Sequence, residues 1–188
     1  FDFFAGIKSG YFNDLSLDVG MKFGNYRNVP FFVSKPNDGE SDTTQFDVVY
    51  HNDFLILFNP FVNVGYNFNN KIIIGFNFNY YNYGLDDLEE PWHAPAYKAG
   101  LSGTFNLNDK IHLYANYNAL GGLTGLGASG KVVDLQSIHD FSFKIDYLYT
   151  DNFNIFLTAN NLFNQGYERY LDYPVRGLQL IGGVSISF

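Results

Sequence analysis

Near the start of the chain stands the stretch Leu15-Ser16-Leu17-Asp18-Val19-Gly20-Met21-Lys22-Phe23, in which apolar residues alternate with small, polar or charged ones. Successive side chains of a β-strand point to opposite faces, so this stretch predicts a strand with one apolar and one polar face. A helix would instead need apolar residues three and four positions apart, and no long segment offers them. The chain is therefore predicted to be all-β.

The same alternation recurs along the chain and predicts about nine strands. Most of them approach or exceed the roughly 9–11 residues with which a tilted strand crosses a bilayer, whereas strands of soluble proteins usually have about 5–6 residues. This length favours an antiparallel transmembrane β-barrel of the outer membrane. The predicted strands cover residues 1–11, 15–25, 54–68, 71–83, 96–107, 110–118, 139–150, 152–163 and 177–188.

The connections between these strands alternate between short and long. Short turns rich in Asn and Asp fall at Asn13-Asp14, Asn69-Asn70, Asn108-Asp109 and Asp151, and long links cover 26–53, 84–95, 119–138 and 164–176. Outer-membrane barrels have short periplasmic turns and long extracellular loops. This pattern predicts a bacterial outer-membrane protein with extracellular long loops and a periplasmic C-terminus.

The number of strands has two explanations. Bacterial single-chain barrels have even strand numbers, and a first strand that runs inward implies a further strand upstream. Residues 1–188 would then be one transmembrane region without a plug domain, the C-terminal portion of a larger barrel. The alternative is a miscount by one, with a closed barrel of eight or ten strands.

The composition agrees with a membrane barrel and excludes several classes of protein. Charged residues make up 16% and aromatic residues 20% of the chain, against about 25% charged residues in soluble domains. The net charge of −8 disfavours nucleic acid as a partner, because nucleic-acid binding depends on neutralising phosphates. There is no Cys, which excludes disulfides and thiolate chemistry.

Tyrosines near predicted strand ends suggest aromatic belts at the two membrane interfaces. They are Tyr80, Tyr81, Tyr83, Tyr114, Tyr117, Tyr147 and Tyr149.

Charged residues at the polar positions of the strands are predicted to face the lumen. They would pair with one another in a small barrel, and in a large barrel they would line a wet channel or contact a plug. These residues are Asp2, Lys8, Asp18, Lys22, Lys98, Lys144 and Asp146.

The long links contain candidate contact residues. Phe31 and Phe32 would form an exposed apolar patch for a partner, or would pack over the barrel mouth. Trp92 follows the acidic run 86–90 and would anchor a ligand or partner, or lie at the membrane interface. The Gly-rich stretch 121–130 lacks the pattern of a phosphate-binding loop and is expected to be flexible.

No residue pattern predicts a catalytic, cofactor or metal site. The four His (His51, His93, His112 and His139) are scattered without ligand spacing. The acidic run does not have the spacing of a Ca²⁺ loop. Adjacent His139 and Asp140 would face opposite sides of a strand, so they would not form a catalytic pair. The chain is therefore expected not to be an enzyme.

The last forty residues resemble TonB-dependent receptors. The segment 152–164, ending Asn161-Leu162-Phe163-Asn164, is similar to the penultimate strand of that family, and Val184-Ser185-Ile186-Ser187-Phe188 is similar to its terminal strand. A terminal Phe188 also resembles the signal that outer-membrane barrels present to the barrel-assembly machinery. The frequent Asn and Tyr resemble the composition of Bacteroidetes proteins.

The resemblance implies uptake of a scarce nutrient, such as a siderophore or a glycan, across the outer membrane. The alternative is a plugless barrel subunit with a structural or assembly role in a multi-protein complex. The partners implied are outer-membrane lipid, the assembly machinery, and other outer-membrane proteins or surface lipoproteins.

Overall fold

The computed structural model describes residues 2–12, 14–35 and 45–188. Phe1 and Asn13, which the sequence places in the first strand and the first turn, lie outside the described residues. Within the described ranges no helix is long and apolar enough to cross a membrane.

The described residues form sixteen strands. They are β1 (Asp2–Phe12), β2 (Leu15–Tyr26), β3 (Val29–Ser34), β4 (Phe46–His51), β5 (Leu55–Phe68), β6 (Ile72–Tyr80), β7 (Asn82–Gly84), β8 (Tyr97–Asn106), β9 (Ile111–Gly121), β10 (Leu123–Leu126), β11 (Val132–Leu135), β12 (Ile138–Thr150), β13 (Phe153–Asn160), β14 (Glu168–Tyr170), β15 (Tyr173–Pro174) and β16 (Gln179–Ile186).

Nine of these strands build one long antiparallel sheet in the order β1-β2-β5-β6-β8-β9-β12-β13-β16. They coincide with the nine strands expected from the alternation, and the all-β class is confirmed. The predicted strand 71–83 is divided, because β6 ends at Tyr80 and the backbone N–H of Tyr81 donates to the Ala96 carbonyl at 2.7 Å. The three residues of β7 pair instead with the first half of β5.

Short turns join the long strands at one end of the sheet and owe their shape to Asn and Asp. Asp14, Asn69 and Asn70 have φ of 67°, 49° and 55°, the left-handed conformation that these residues tolerate. In the next turn, Asn108 Oδ1 accepts the backbone N–H groups of Lys110 and Ile111, both at 2.9 Å.

Three of the long connections at the opposite end contain antiparallel hairpins. These are β3–β4, β10–β11 and β14–β15. The Gly-rich stretch 121–130, expected to be a flexible loop, contains β10, and Leu123 at the start of this strand is only 1% exposed. Gly122, with φ of +66°, makes the turn into this hairpin.

Candidate functional site

The register divides the long sheet into two chemically different faces, because directly paired residues point to the same side. One row crosses six strands with apolar or aromatic side chains only: Leu17, Val64, Phe76, Leu101, Tyr117 and Phe141. The neighbouring row crosses the same strands with polar residues and one glycine: Asp18, Asn63, Asn77, Gly100, Asn118 and Asp140. We call these the apolar face and the polar face.

All seven charged residues singled out in the sequence lie on the polar face. Their paired neighbours are mostly small or polar, as in the pairs of Lys8 with Asp18 and of Lys98 with Asn79. The tyrosines do not all share one face of the sheet: Tyr114 is paired with Lys144 and so points to the polar face, opposite to Tyr117. Two residues three apart on a strand face opposite ways, which excludes Tyr114 from an outer belt.

Three of the four lysines singled out on the polar face lie over aromatic rings. Their Nζ atoms are 5.2 Å from the Phe61 centroid for Lys22, 5.5 Å from that of Tyr81 for Lys98, and 5.3 Å from that of Tyr114 for Lys144. Lys144 also donates to Asp146 Oδ2 at 2.8 Å. Among the seven charges, as far as the structure describes them, Lys144–Asp146 is the one ion pair within 4 Å.

Two depressions on the polar face combine rings, amides and charges. The larger has a volume of about 560 Å³, the smaller one of about 310 Å³. In the larger one the Phe4 and Phe61 rings stack with centroids 5.9 Å apart. Such a surface can stack on a flat solute and hydrogen-bond its polar groups. The larger is lined by Phe4, Gly6, Lys8, Asp18, Lys22, Phe61, Asn63 and Asn79, and the smaller by Tyr114, Asn116, Ser142, Phe143, Lys144, Thr158 and Asn160.

The long connections pack together around a buried apolar cluster of Phe31, Val33, Leu55 and Trp92. Leu55 is paired with Tyr26, and Leu57, which packs against the cluster, is paired with Gly24. Both leucines therefore lie on the polar-face side of β5. We call this assembly of connections the loop layer, and it folds over the polar face at the long-loop end of the sheet.

The exposure of the aromatic residues in the loop layer distinguishes packing inside the protein from contact with a partner, a ligand or the membrane interface. Phe31 and Trp92 are 6% and 5% exposed, so they are packed inside the layer rather than presented to a partner, a ligand or the membrane interface. Phe32 points the other way and is 41% exposed. Adjacent residues of β3 face opposite sides, which is why Phe31 and Phe32 separate.

Tyr83 also belongs to the loop layer and not to a membrane belt. Its hydroxyl donates to the Pro95 carbonyl at 3.2 Å, and its ring packs against the apolar cluster. Burial raises the pKa of Tyr83 to about 12, because the charged phenolate is poorly solvated there. Tyr83 therefore remains a hydrogen-bond donor at physiological pH.

His93 lies where four long connections meet. Its backbone N–H donates to the Thr124 carbonyl at 2.7 Å, its Nδ1 is 2.9 Å from the Phe32 carbonyl, and its Nε2 is 3.1 Å from the backbone nitrogen of Leu171. The Phe46 and Tyr170 rings contact the imidazole, with centroids at 5.9 and 5.2 Å. Nothing in the spacing of the four His residues reveals this position, since its partners are distant in sequence.

The other histidines and the acidic run have structural partners. His51, fully buried, contacts the Asp87 carboxylate, whose other oxygen accepts the Asn52 N–H at 3.1 Å. His139 lies 2.7 Å from the Tyr117 hydroxyl, and Asp140 accepts from Tyr167 on the other side, as expected for opposite faces. Within the described ranges no three His, Asp or Glu side chains are grouped to hold a metal ion.

The Asn-Leu-Phe-Asn segment holds the last long connection in place. Asn161 Nδ2 donates to the carbonyls of Gln165 and Arg176 at 3.0 and 3.1 Å, and its Oδ1 accepts the Gln165 N–H at 3.1 Å. Asn164 Oδ1 accepts the Leu178 N–H at 2.9 Å. Phe188 lies beyond the end of β16 and is fully exposed, and its role in assembly stays a prediction.

Comparisons with known proteins find the fold but no sequence family. No family model matches the chain, and no curated protein is significantly similar to it.

Three solved structures illustrate the likeness. The siderophore receptor PirA of Acinetobacter baumannii superposes on 100% of the chain with a TM-score of 0.75 and 14% identity. The ferric-catecholate import receptor Fiu of E. coli K12 superposes on 97% with 0.74 and 14% identity. The copper transporter OprC superposes on 100% with 0.74 and 13% identity.

The chain spans only 27–31% of the length of these three proteins. Their names describe transport rather than an enzymatic activity. The long two-faced sheet, the alternation of turns and connections, and these superpositions together show that the chain has the outer-membrane β-barrel fold and is similar to a portion of the barrel of TonB-dependent-type receptors.

Proposed function

We propose that the chain is the C-terminal part of an outer-membrane barrel that takes up a nutrient. The observation that carries the proposal is the two-faced sheet: an unbroken apolar face suited to lipid, and a polar face that combines lysines, carboxylates, amides and rings. In a barrel the apolar face would contact the hydrocarbon region and the polar face would line the lumen. The likeness to siderophore and copper receptors supports transport.

The orientation follows from the connections. The short turns would be periplasmic and the loop layer extracellular, as in other outer-membrane barrels. β16 would then run inward and bring Phe188 to the periplasmic side, where the assembly machinery would bind it. The lumen-facing role of the seven polar-face charges is part of this proposal.

A larger barrel is favoured by the two ends of the sheet. β1 and β16 lie at opposite ends of the strand order. Unpaired backbone N–H and C=O groups cost several kcal/mol each in lipid, so both edge strands need partners. Additional strands of the same protein would supply them, which agrees with the 27–31% of the receptor lengths that the chain spans.

The intact mass tests the larger barrel. The protein would be purified from native outer membranes with its partners retained, and every chain would be weighed by mass spectrometry. We expect one polypeptide several times heavier than the 21.4 kDa of this chain. A polypeptide near 21.4 kDa with stoichiometric partners would instead support the plugless structural subunit.

Uptake is tested with the solutes for which the similar receptors are named. A strain that lacks the gene would be compared with wild type for accumulation of radiolabelled ferric-catecholate complexes and of copper under limitation. We expect accumulation of one of them to fall, and Asn77→Arg on the polar face to lower it without changing the amount of protein in the outer membrane. Unchanged accumulation of both solutes would count against uptake of these two solute classes.

A further inference from the structure

His93 joins four connections that are far apart in sequence. It belongs to the connection between β6 and β8, and it bonds to Phe32 in β3, to Thr124 in β10 and to Leu171 between β14 and β15. Its φ of 59° lies in the left-handed region, which only a few per cent of residues other than Gly adopt. We call His93 with these three partners the His93 junction.

The junction requires one neutral tautomer of the imidazole. The backbone N–H of Leu171 is a donor, so Nε2 must present its lone pair. Nδ1 then carries the hydrogen and donates to the Phe32 carbonyl. A protonated ring has hydrogens on both nitrogens, so Nε2–H would point at the Leu171 N–H and neither group would have an acceptor.

The groups around the ring act in both directions, and burial has the largest effect. β3 presents the Phe32 carbonyl oxygen, which favours a charged ring, and β4 presents the Phe46 ring. From β14 come the Tyr170 ring and the charge of Arg169, whose guanidinium carbon is 6.0 Å from the Tyr170 centroid. Burial and, to a smaller extent, Arg169 lower the pKa of His93, although its bond to the Phe32 carbonyl opposes them.

The Nε2 side of the His93 ring is closely packed. A methyl group on Gly125 in β10 would lie 3.0 Å from His93 Nε2 and 3.1 Å from Leu171 Cβ. The edge of the imidazole that carries Nε2 is therefore packed closely against β10 and Leu171. A protonated ring would lose its bond to Leu171, which lies in the β14–β15 hairpin, a hairpin of only two to three residues on each side.

We propose that His93 is a proton-sensitive switch that holds the loop layer closed over the polar face when neutral and releases the β14–β15 hairpin when protonated. Acidification would open the long-loop end of the sheet by separating this hairpin from β3 and β10. The inference rests on the junction itself and does not depend on which solute is carried.

The test measures the distance between two hairpins of the loop layer in the intact protein. The chain contains no Cys, so Asp134→Cys in β11 and Pro174→Cys in β15, both at exposed positions, provide a pair of spin-label sites. Distances would be measured by double electron–electron resonance in lipid nanodiscs from about pH 7.5 to about pH 4.5. We expect one narrow distribution at the higher pH and a longer, broader one at the lower pH, with full reversal.

Two variants attribute the change to His93. His93→Gln cannot titrate and should give the same distribution at both pH values, whereas the control His139→Gln should respond like wild type. An unchanged wild-type distance, or a wild-type response in His93→Gln, would overturn the proposal.

If His93→Gln disturbs the loop layer at every pH, its distances do not test the proposal, and a third variant is measured. Arg169→Gln removes a positive neighbour and should therefore raise the pH midpoint of opening. An unshifted midpoint would overturn the proposal even if His93→Gln were uninformative.

Discussion

At the level of single residues, Asn161 shows why the Asn-Leu-Phe-Asn segment has its composition. Asn161 directly follows β13 with φ of 50°, and Asn164 repeats this conformation with φ of 49°. An asparagine tolerates this region and at the same time offers a donor and an acceptor to nearby backbone groups. The segment that carries the family resemblance is thus explained by loop geometry and needs no contact with a solute.

We predict that Asn161→Ala loosens the connection 161–178 by about 3 kcal/mol, because three hydrogen bonds of about 1 kcal/mol each are lost. Asn161→Gly should lose the same bonds without the left-handed strain, so it should be milder than Asn161→Ala by about 1 kcal/mol. The measurement is the local opening free energy from amide hydrogen exchange at Gln165 and Leu178.

The control for this prediction is Asn116→Ala, which removes an amide from an exposed position of the polar face. Exchange at Gln165 and Leu178 should remain within about 0.5 kcal/mol of wild type in this variant. Equal effects of Asn161→Ala and Asn161→Gly would show that backbone strain contributes nothing.

At the level of elements, the nine long strands were predictable and the short hairpins were not. Apolar residues such as Leu17 recur at every second position of the long strands, on the face proposed to contact lipid, so the two-residue period is visible in the sequence itself. β10 has only four residues; it contacts β3, which is far away in sequence, and its Leu126 packs against the buried apolar cluster. Such contacts leave no local period.

The candidate site likewise has one part that the sequence predicts and another part that it does not. The alternation alone assigns all seven charges to one face, since residues such as Asp18 and Lys22 share the parity of their strand. The burial of Trp92 and the junction at His93 depend on how four connections pack, and no spacing rule records this.

The two faces should differ in their tolerance of charge, and β13 allows a matched comparison. Leu157 lies on the apolar face and is 52% exposed, while adjacent Thr158 is paired with Lys144 on the polar face. Leu157→Arg should lower the free energy of unfolding in phospholipid vesicles by about 2–4 kcal/mol. Thr158→Arg should change it by about 1 kcal/mol or less, because the side chain enters a wet lumen. Equal losses would mean that these faces do not contact lipid and water as proposed.

At the level of the whole molecule, the sheet and the loop layer differ in what would stabilise them. In the proposed barrel the sheet would need lipid on its apolar face and further strands beside β1 and β16, whereas the loop layer contains its own buried cluster. The layer lies on the polar face through Leu55 and Leu57, so it would cover the extracellular mouth of a barrel. A barrel that is gated at this mouth would keep its strands unchanged and move only the connections.

The proposed larger barrel predicts that both edge strands, β1 and β16, are hydrogen-bonded to neighbouring strands. In the intact protein, edge-facing amides of β1 and β16 should exchange with deuterium as slowly as those of β8 in the middle of the sheet, because each would be bonded to a neighbouring strand. Amides of the β14–β15 hairpin, outside the sheet, provide the fast-exchanging reference. Fast exchange restricted to β1 and β16 would mean that the nine strands stand alone with open edges, and a barrel that includes them would have to be abandoned.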